Sequence, residues 1–172
     1  MVFVTLGFLL WIGCGGSETS ETTASSEGTT VAEDTTGGAK ASKKHLDIKQ
    51  VTPLFPSTLI TYAFDSVKKK TKSADWIELS ATYKLGDRKL KVVINDYLPN
   101  GNPEWKTLFD SLPEQSTNGY QAAFHQKKDK STWMVLVGDR FRVDFKSTTD
   151  NQESLQRMAS AFDYKALVAM SK

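Results

Sequence analysis

Few side chains in this sequence of 172 residues have the types and spacing that chemistry requires. A serine or cysteine nucleophile needs a positioned base, and the two histidines, His45 and His125, belong to no motif that supplies one. The chain contains no Gly-x-Ser-x-Gly elbow, no phosphate-binding loop, no His-Glu-x-x-His motif and no EF-hand loop. We therefore predict no catalytic residue, no metal site and no cofactor.

Arginines and carboxylates are the remaining candidates for binding. Arg140, Arg142 and Asp144 alternate along one predicted strand, so they share its outward side and could bind an anionic ligand there. The alternative is a charged edge strand that discourages aggregation. His125 is a further candidate binding residue, with a solvated or packed histidine as its alternative. No spacing favours one acid–base pair among the aspartates Asp87, Asp96, Asp110, Asp139 and Asp144.

Three basic clusters lie at predicted turns. They are residues 68–72, Arg88 with Lys89 and Lys91, and residues 127–130. Consecutive turns of an antiparallel meander lie at opposite ends of the sheet, so the first two clusters are not expected to form one patch. Solvated turns are the first interpretation, and a surface for anionic lipid or glycan is the second.

The only cysteine, Cys14, follows an apolar run at residues 2–12. At about 1.5 Å per helical residue, this run is too short for the roughly 30 Å hydrocarbon core of a bilayer. Its length, and the Gly13 that separates it from Cys14, are typical of a signal peptide. The alternative is an ordinary buried apolar segment with a core cysteine.

The Gly13-Cys14 junction resembles the lipobox of a bacterial lipoprotein. That resemblance implies cleavage before Cys14, acylation of the Cys14 thiol, and a mature chain anchored in a membrane of the cell envelope by its lipid. Gly15 and Gly16 stand where an Asp would favour retention in the inner membrane. The resemblance therefore favours the outer membrane, facing the periplasm, if the cell has two membranes.

Residues 15–42 are almost wholly Gly, Ser, Thr, Ala and acidic residues. Such a segment buries too little apolar surface to offset the entropy of ordering, so we predict a flexible tether. The chain then divides into a signal peptide at 1–13, a lipidated N-terminus and tether at 14–42, and one domain at 43–172. A net charge of +2 is far below that of a typical nucleic-acid-binding protein, and no nucleic acid is expected as a partner.

Apolar residues alternate with polar ones over much of the domain. The pattern predicts a β-hairpin over residues 76–97 that turns at Gly86-Asp87, and further strands near 58–67, 119–127, 133–137 and 140–146. Helical spacing predicts a first helix whose apolar face is formed by Trp105, Leu108, Phe109 and Leu112. A second helix is predicted to begin with a capping box at Asp150 and Glu153.

The predicted order of elements is βββαβββα. Links between strands are too short for parallel crossovers, so we predict a single α+β domain, with a largely antiparallel sheet of five to six strands and two helices packed on it. This order, with a Gly119-Tyr120-Gln121-Ala122 strand after the first helix, resembles PsbP-like domains. The domain is also similar to uncharacterised exported bacterial families with an early Leu-Phe-Pro element and a late Gly-Asp-Arg-Phe strand. Both resemblances imply an accessory role in the envelope.

The sequence predicts a lipid-anchored, non-enzymatic cell-envelope protein. Its domain would bind a partner protein or a ligand, or support assembly of the envelope. The alternative is a hydrolase-like enzyme of the envelope that uses carboxylates and arginines in a cleft. An enzyme should show a concave pocket with several convergent ionisable groups, and a binding module an apolar groove or a flat patch.

Overall fold

A computed structural model describes residues 44–98 and 104–171 of the chain. The predicted signal peptide, Cys14 and the predicted tether lie outside the described residues, as does the side chain of Trp105. The described residues form one antiparallel sheet of eight strands, curled into a half-barrel. The strands are β1 Thr58–Leu59, β2 Tyr62–Ser73, β3 Trp76–Leu85, β4 Arg88–Tyr97, β5 Gln115–Thr117, β6 Tyr120–Lys127, β7 Lys130–Val137 and β8 Phe141–Ser147.

The predicted α+β domain of five to six strands and two helices is wrong. The sheet has eight strands in the spatial order β1-β2-β3-β4-β8-β7-β6-β5, and the helices are short. One strand, β5, escaped prediction because its three residues are too few to show an alternating pattern. The single strand predicted at 58–67 is in fact β1 and the start of β2, which a turn at residues 60 and 61 separates. The helices are α1 Ile48–Val51, α2 Glu104–Asp110, α3 Gln152–Ser160 and α4 Tyr164–Ala169.

The predicted hairpin over residues 76–97 is confirmed. Leu85 lies opposite Arg88 across the Gly86-Asp87 turn, and β3 and β4 pair along their whole length. One face of this hairpin is fully buried, because its aliphatic and aromatic residues recur at every second position. The buried residues are Ile77, Leu79, Ala81, Tyr83, Leu90, Val92 and Ile94.

The two faces of the sheet differ. On the core face, Trp133 of β7 packs in one large apolar cluster with Leu155 of α3 and Leu167 of α4. The opposite face, which we call the outer face, carries a small cluster in which Phe109 of α2 packs against Ala123 and Met134. The first predicted helix therefore packs on the sheet through Phe109 and Leu112, whereas Leu108 of its predicted apolar face is exposed.

The second predicted helix begins one residue later than its capping-box pattern suggested. Asn151 is the N-cap, and its side chain accepts a hydrogen bond from the backbone N–H of Ser154 at 3.0 Å. Asp150 is buried instead, where it accepts hydrogen bonds from Tyr62 and Ser147. A carboxylate with these partners cannot also cap the helix. Asp163 caps the separate helix α4.

The turn between β1 and β2 contains a strained residue. Ile60 has a φ of 58°, and its side chain is 49% exposed. A β-branched residue in this left-handed region is destabilised by contacts between its side chain and its backbone. Leu59 pairs with Tyr62, so Ile60 is the first residue of a two-residue hairpin loop, a position that glycine favours when φ is positive.

Replacing Ile60 by Gly is therefore expected to stabilise the domain by about 0.5 to 1 kcal/mol, because glycine adopts positive φ without this penalty. The measurement is the midpoint of urea unfolding. Thr61→Gly is the matched control: Thr61 has no positive φ, so its replacement should leave stability unchanged or lower it. A lower midpoint for Ile60→Gly would show that the packing of the Ile60 side chain outweighs its backbone strain.

Candidate functional site

The described carboxylates that are buried are all aspartates, and each binds one arginine. The pairs are Asp96 with Arg140, Asp144 with Arg142, and Asp150 with Arg88. The predicted group of Arg140, Arg142 and Asp144 is thus divided between two separate ion pairs. The edge-strand alternative is wrong, because β8 lies between β4 and β7 in the interior of the sheet.

Asp144 is the centre of a buried polar network on the outer face. Arg142 binds it in a bidentate manner, with Nε 2.7 Å from Oδ1 and Nη2 3.0 Å from Oδ2. Lys146 Nζ lies 2.9 Å from Oδ2, and Asn95 Nδ2 donates to the same oxygen at 3.1 Å. Burial alone would raise the pKa of Asp144, but the charges of Arg142 and Lys146 outweigh it and hold that pKa below its ordinary value. Both the Nε and the Nη2 of Arg142 thus donate to the carboxylate of Asp144.

Arg140 has a structural role at the start of the domain. Its Nε donates to Asp96 Oδ1 at 2.6 Å, and its Nη2 donates to the backbone carbonyl of Lys44 at 2.7 Å. The other oxygen of Asp96 accepts a hydrogen bond from the backbone N–H of Leu46 at 2.8 Å and lies 3.3 Å from His45 Nδ1. This cluster attaches the first described residues to the end of β4.

His125 lies half-buried on the outer face of β6, opposite Thr132. It is not brought together with Arg140, Arg142 or Asp144 by any described hydrogen bond or ion pair. Among residues 44–98 and 104–171, no group of three or more His, Cys, Asp or Glu side chains could bind a metal ion. The binding roles predicted for these four residues remain predictions.

The outer face carries a basic concavity that the sequence analysis did not predict. Its volume is about 590 Å³, and Glu78 is the one acidic residue among the described residues that line it. The buried residues Leu90 and Val93 also line it, and Thr82 contributes a hydroxyl. We call it the lysine site, after the lining residues Lys70, Lys72, Lys89, Lys91, Lys130 and Lys146.

The expectation that the first two basic clusters would not form one patch is wrong. Lys70 and Lys72, from the first cluster, line the same concavity as Lys89 and Lys91, from the second. The reason is that β2 continues to Ser73, so these lysines belong to a strand and not to a turn. Residues two apart on a strand point to the same face, which is why each pair contributes both of its members.

Positive charges in the lysine site are only partly neutralised. Lys72 binds Glu78 at 3.1 Å, and Lys146 binds the buried Asp144. In the described part of the chain, the four other lysines of the site make no salt bridge: Lys70, Lys89, Lys91 and Lys130. The register also places Lys91 directly opposite Lys146. Like charges in such a cross-strand pair repel each other, which is unfavourable for a sheet.

Protection of a sheet edge explains only part of this lysine site. Strand β1 covers just two residues of β2, so most of β2 is an open edge, where lysines such as Lys70 and Lys72 discourage pairing with another chain. However, Lys91 lies on β4 and Lys146 on β8, and both strands are in the interior of the sheet. Protection of an edge therefore does not explain why Lys91 and Lys146 lie on the same face as the lysines of β2.

Comparison with protein-family models, with curated proteins and with solved structures finds no match to this chain. The resemblances to lipoproteins and to PsbP-like domains therefore remain predictions. Within the two described ranges, no helix is long and apolar enough to cross a membrane.

Proposed function

We propose that this chain is a lipid-anchored, non-enzymatic protein of the cell envelope whose domain binds an anionic ligand in the lysine site. The observation that carries the proposal is the convergence of six lysines on one concavity, with a single carboxylate among the described residues that line it. A volume of about 590 Å³ lies within the range of ligand-binding sites in proteins, about 300 to 1,000 Å³. A bound anion would relieve the repulsion between Lys91 and Lys146, so binding would also stabilise the fold.

The anchor in this proposal rests on the sequence. Cys14 follows a short apolar run, and residues 15–42 have the composition of a flexible coil. Such a coil has an average reach of roughly 30 Å, which would hold the domain clear of the lipid headgroups. In a cell with two membranes, we propose the outer membrane as the site of attachment.

The hydrolase-like alternative receives less support from the site. Acid–base chemistry requires a carboxyl group or a histidine that reaches the substrate. Each buried aspartate of the described residues is bound to an arginine, and the one carboxylate of the lysine site, Glu78, is bound to Lys72. Binding needs only the charge of the lysines.

We expect tripolyphosphate, at a saturating concentration, to raise the melting temperature of the full-length protein by several degrees. The double variant Lys89→Gln/Lys91→Gln should lose most of this rise, because both side chains are exposed, line the lysine site and make no salt bridge. Without ligand, the same variant should be at least as stable as the wild type, since it removes repulsion. Thermal unfolding with and without the anion is the measurement.

The matched control is Lys49→Gln/Lys165→Gln. It removes the same charge from exposed positions on α1 and α4, neither of which lines the lysine site. It should keep the full rise in melting temperature. An equal loss in both double variants would mean that the anion acts through net charge alone, and no rise in the wild type would refute the proposal.

A further inference from the structure

The lysines of the site are spread across the sheet. They belong to β2, β4, β8 and β7, and the outermost of these strands, β2 and β7, are four strand spacings apart. At about 4.8 Å per spacing, the charges extend over about 19 Å in the direction across the strands. A single phosphate group cannot contact Lys70 and Lys130 at once, whereas a chain of charged groups can.

The residue types also favour a chain of charges. Among the described residues that line the site, no arginine is present, and Arg88, Arg140 and Arg142 are each bound to a buried aspartate elsewhere. Arginine binds one carboxylate or phosphate in a fixed bidentate geometry, whereas lysine is a point charge on a flexible stem. Several such point charges can follow a ligand whose negative groups repeat. The hydroxyl-bearing residues Thr82 and Thr148 also line the site and can donate hydrogen bonds to such a ligand.

The shape of the site favours a polymer over a membrane surface. A bilayer surface contacts protruding side chains, and protein regions that bind it usually add exposed apolar or aromatic residues to their lysines. In the described residues, the exposed large hydrophobic side chains are those of Ile60, Leu85 and Leu108, and none lines the lysine site. The lysines instead surround a concavity, which a narrow chain can enter.

We propose that the occupant of the lysine site is an elongated polyanion that bears repeated phosphate groups and lies across the strands from β2 to β7. This inference rests on the proposed function, because it specifies which anion the site takes. The central lysines, Lys89 and Lys91, contact any phosphate compound that binds. The end lysines, Lys70 and Lys130, contact only a chain long enough to reach both.

Three probes of increasing length test the inference: orthophosphate, tripolyphosphate and long-chain polyphosphate. Their binding to the full-length protein in neutral detergent is measured by titration calorimetry at one ionic strength. We expect affinity to rise at least about tenfold from each probe to the next longer one. For long-chain polyphosphate, a plot of log K against log salt concentration should have a slope of about −3 to −5. This corresponds to four to six lysine–phosphate contacts at about −0.7 to −0.9 each.

Two double variants locate the chain on the site. Lys70→Gln/Lys130→Gln should weaken long-chain polyphosphate about 10- to 30-fold and tripolyphosphate less than about twofold, because the short probe does not span both positions. Lys89→Gln/Lys91→Gln should weaken both probes. The control Lys49→Gln/Lys165→Gln should weaken neither by more than about twofold.

Each other outcome overturns a different statement. If orthophosphate binds as tightly as the long chain, the site takes a single anion: the polyanion is refuted and the proposed function stands. If the Cys14→Ser protein, which lacks the proposed anchor, binds vesicles of anionic phospholipid but neither neutral vesicles nor polyphosphate, the occupant is a membrane surface, and the polyanion is again refuted. If no anion and no vesicle binds, the inference and the proposed function both fail.

Discussion

Replacing Arg142 by Met is expected to lower the free energy of unfolding by about 3 kcal/mol at pH 7. Asp144 is fully buried, and the variant removes both hydrogen bonds that Arg142 donates to it. Breaking a buried ion pair costs about 3 to 5 kcal/mol, because the remaining charge has no compensation. Lys146 and Asn95 still contact Asp144, so the loss should lie near the lower end of that range. Urea unfolding of both proteins gives the measurement.

The loss caused by Arg142→Met should depend on pH. In the wild type the pKa of Asp144 is lowered, so its contribution to stability is complete above the pKa of an unfolded Asp, about 3.9, and disappears as pH falls through the folded pKa. In the variant, burial is opposed by fewer positive charges, and we expect the pKa of Asp144 to rise. Protonation of Asp144 then removes the free-energy cost of its uncompensated charge in the variant. The difference in stability between the two proteins should therefore shrink between pH 7 and about pH 4.

The control for this prediction removes both charges. In Arg142→Met/Asp144→Leu, apolar side chains replace the pair, an exchange that is often neutral or stabilising in other proteins. We expect the double variant to recover most of the stability that the single variant loses. Equal losses in the two variants would show that the Arg142 side chain contributes through packing and not through its charge.

The β3–β4 hairpin could be predicted from the sequence because it is local and one face of it is buried. Apolar residues alternate from Ile77 to Leu85, and Gly86 supplies the positive φ of 57° that the turn requires. The second half of β2 could not be predicted in this way. It is exposed and rich in lysine, so it has no apolar alternation, and it becomes a strand because β3 offers it hydrogen bonds along its length.

The candidate site depends on contacts between distant parts of the sequence. Lys91 lies opposite Lys146 only because β4 pairs with β8, the strand that joins the two halves of the sheet. Local patterns do not determine such a pairing. The two-residue spacing of Lys70 and Lys72, and of Lys89 with Lys91, was the signal that could have been used. It places the members of each pair on one face as soon as both segments are taken as strands.

The substitution Cys14→Ser is expected to have the largest effect on the distribution of the protein between the membrane and soluble fractions. If the thiol of Cys14 is acylated, as we propose, its hydroxyl replacement cannot form the same thioether, and the chain loses its lipid. The variant should then leave the membrane fraction and no longer incorporate labelled palmitate, whereas the control Ser17→Ala in the same segment should behave as the wild type. A Cys14→Ser protein that remains in the membrane fraction with normal processing would contradict the anchor.

The same variant separates anchoring from ligand binding. The described residues that line the lysine site all lie between Lys70 and Thr148. Purified Cys14→Ser protein should therefore bind long-chain polyphosphate with an affinity within about twofold of that of the wild type in neutral detergent. A large loss of affinity would mean that the lipid or the membrane takes part in binding. The lysine site would then act together with a lipid surface, and the polyanion alone would not be its ligand.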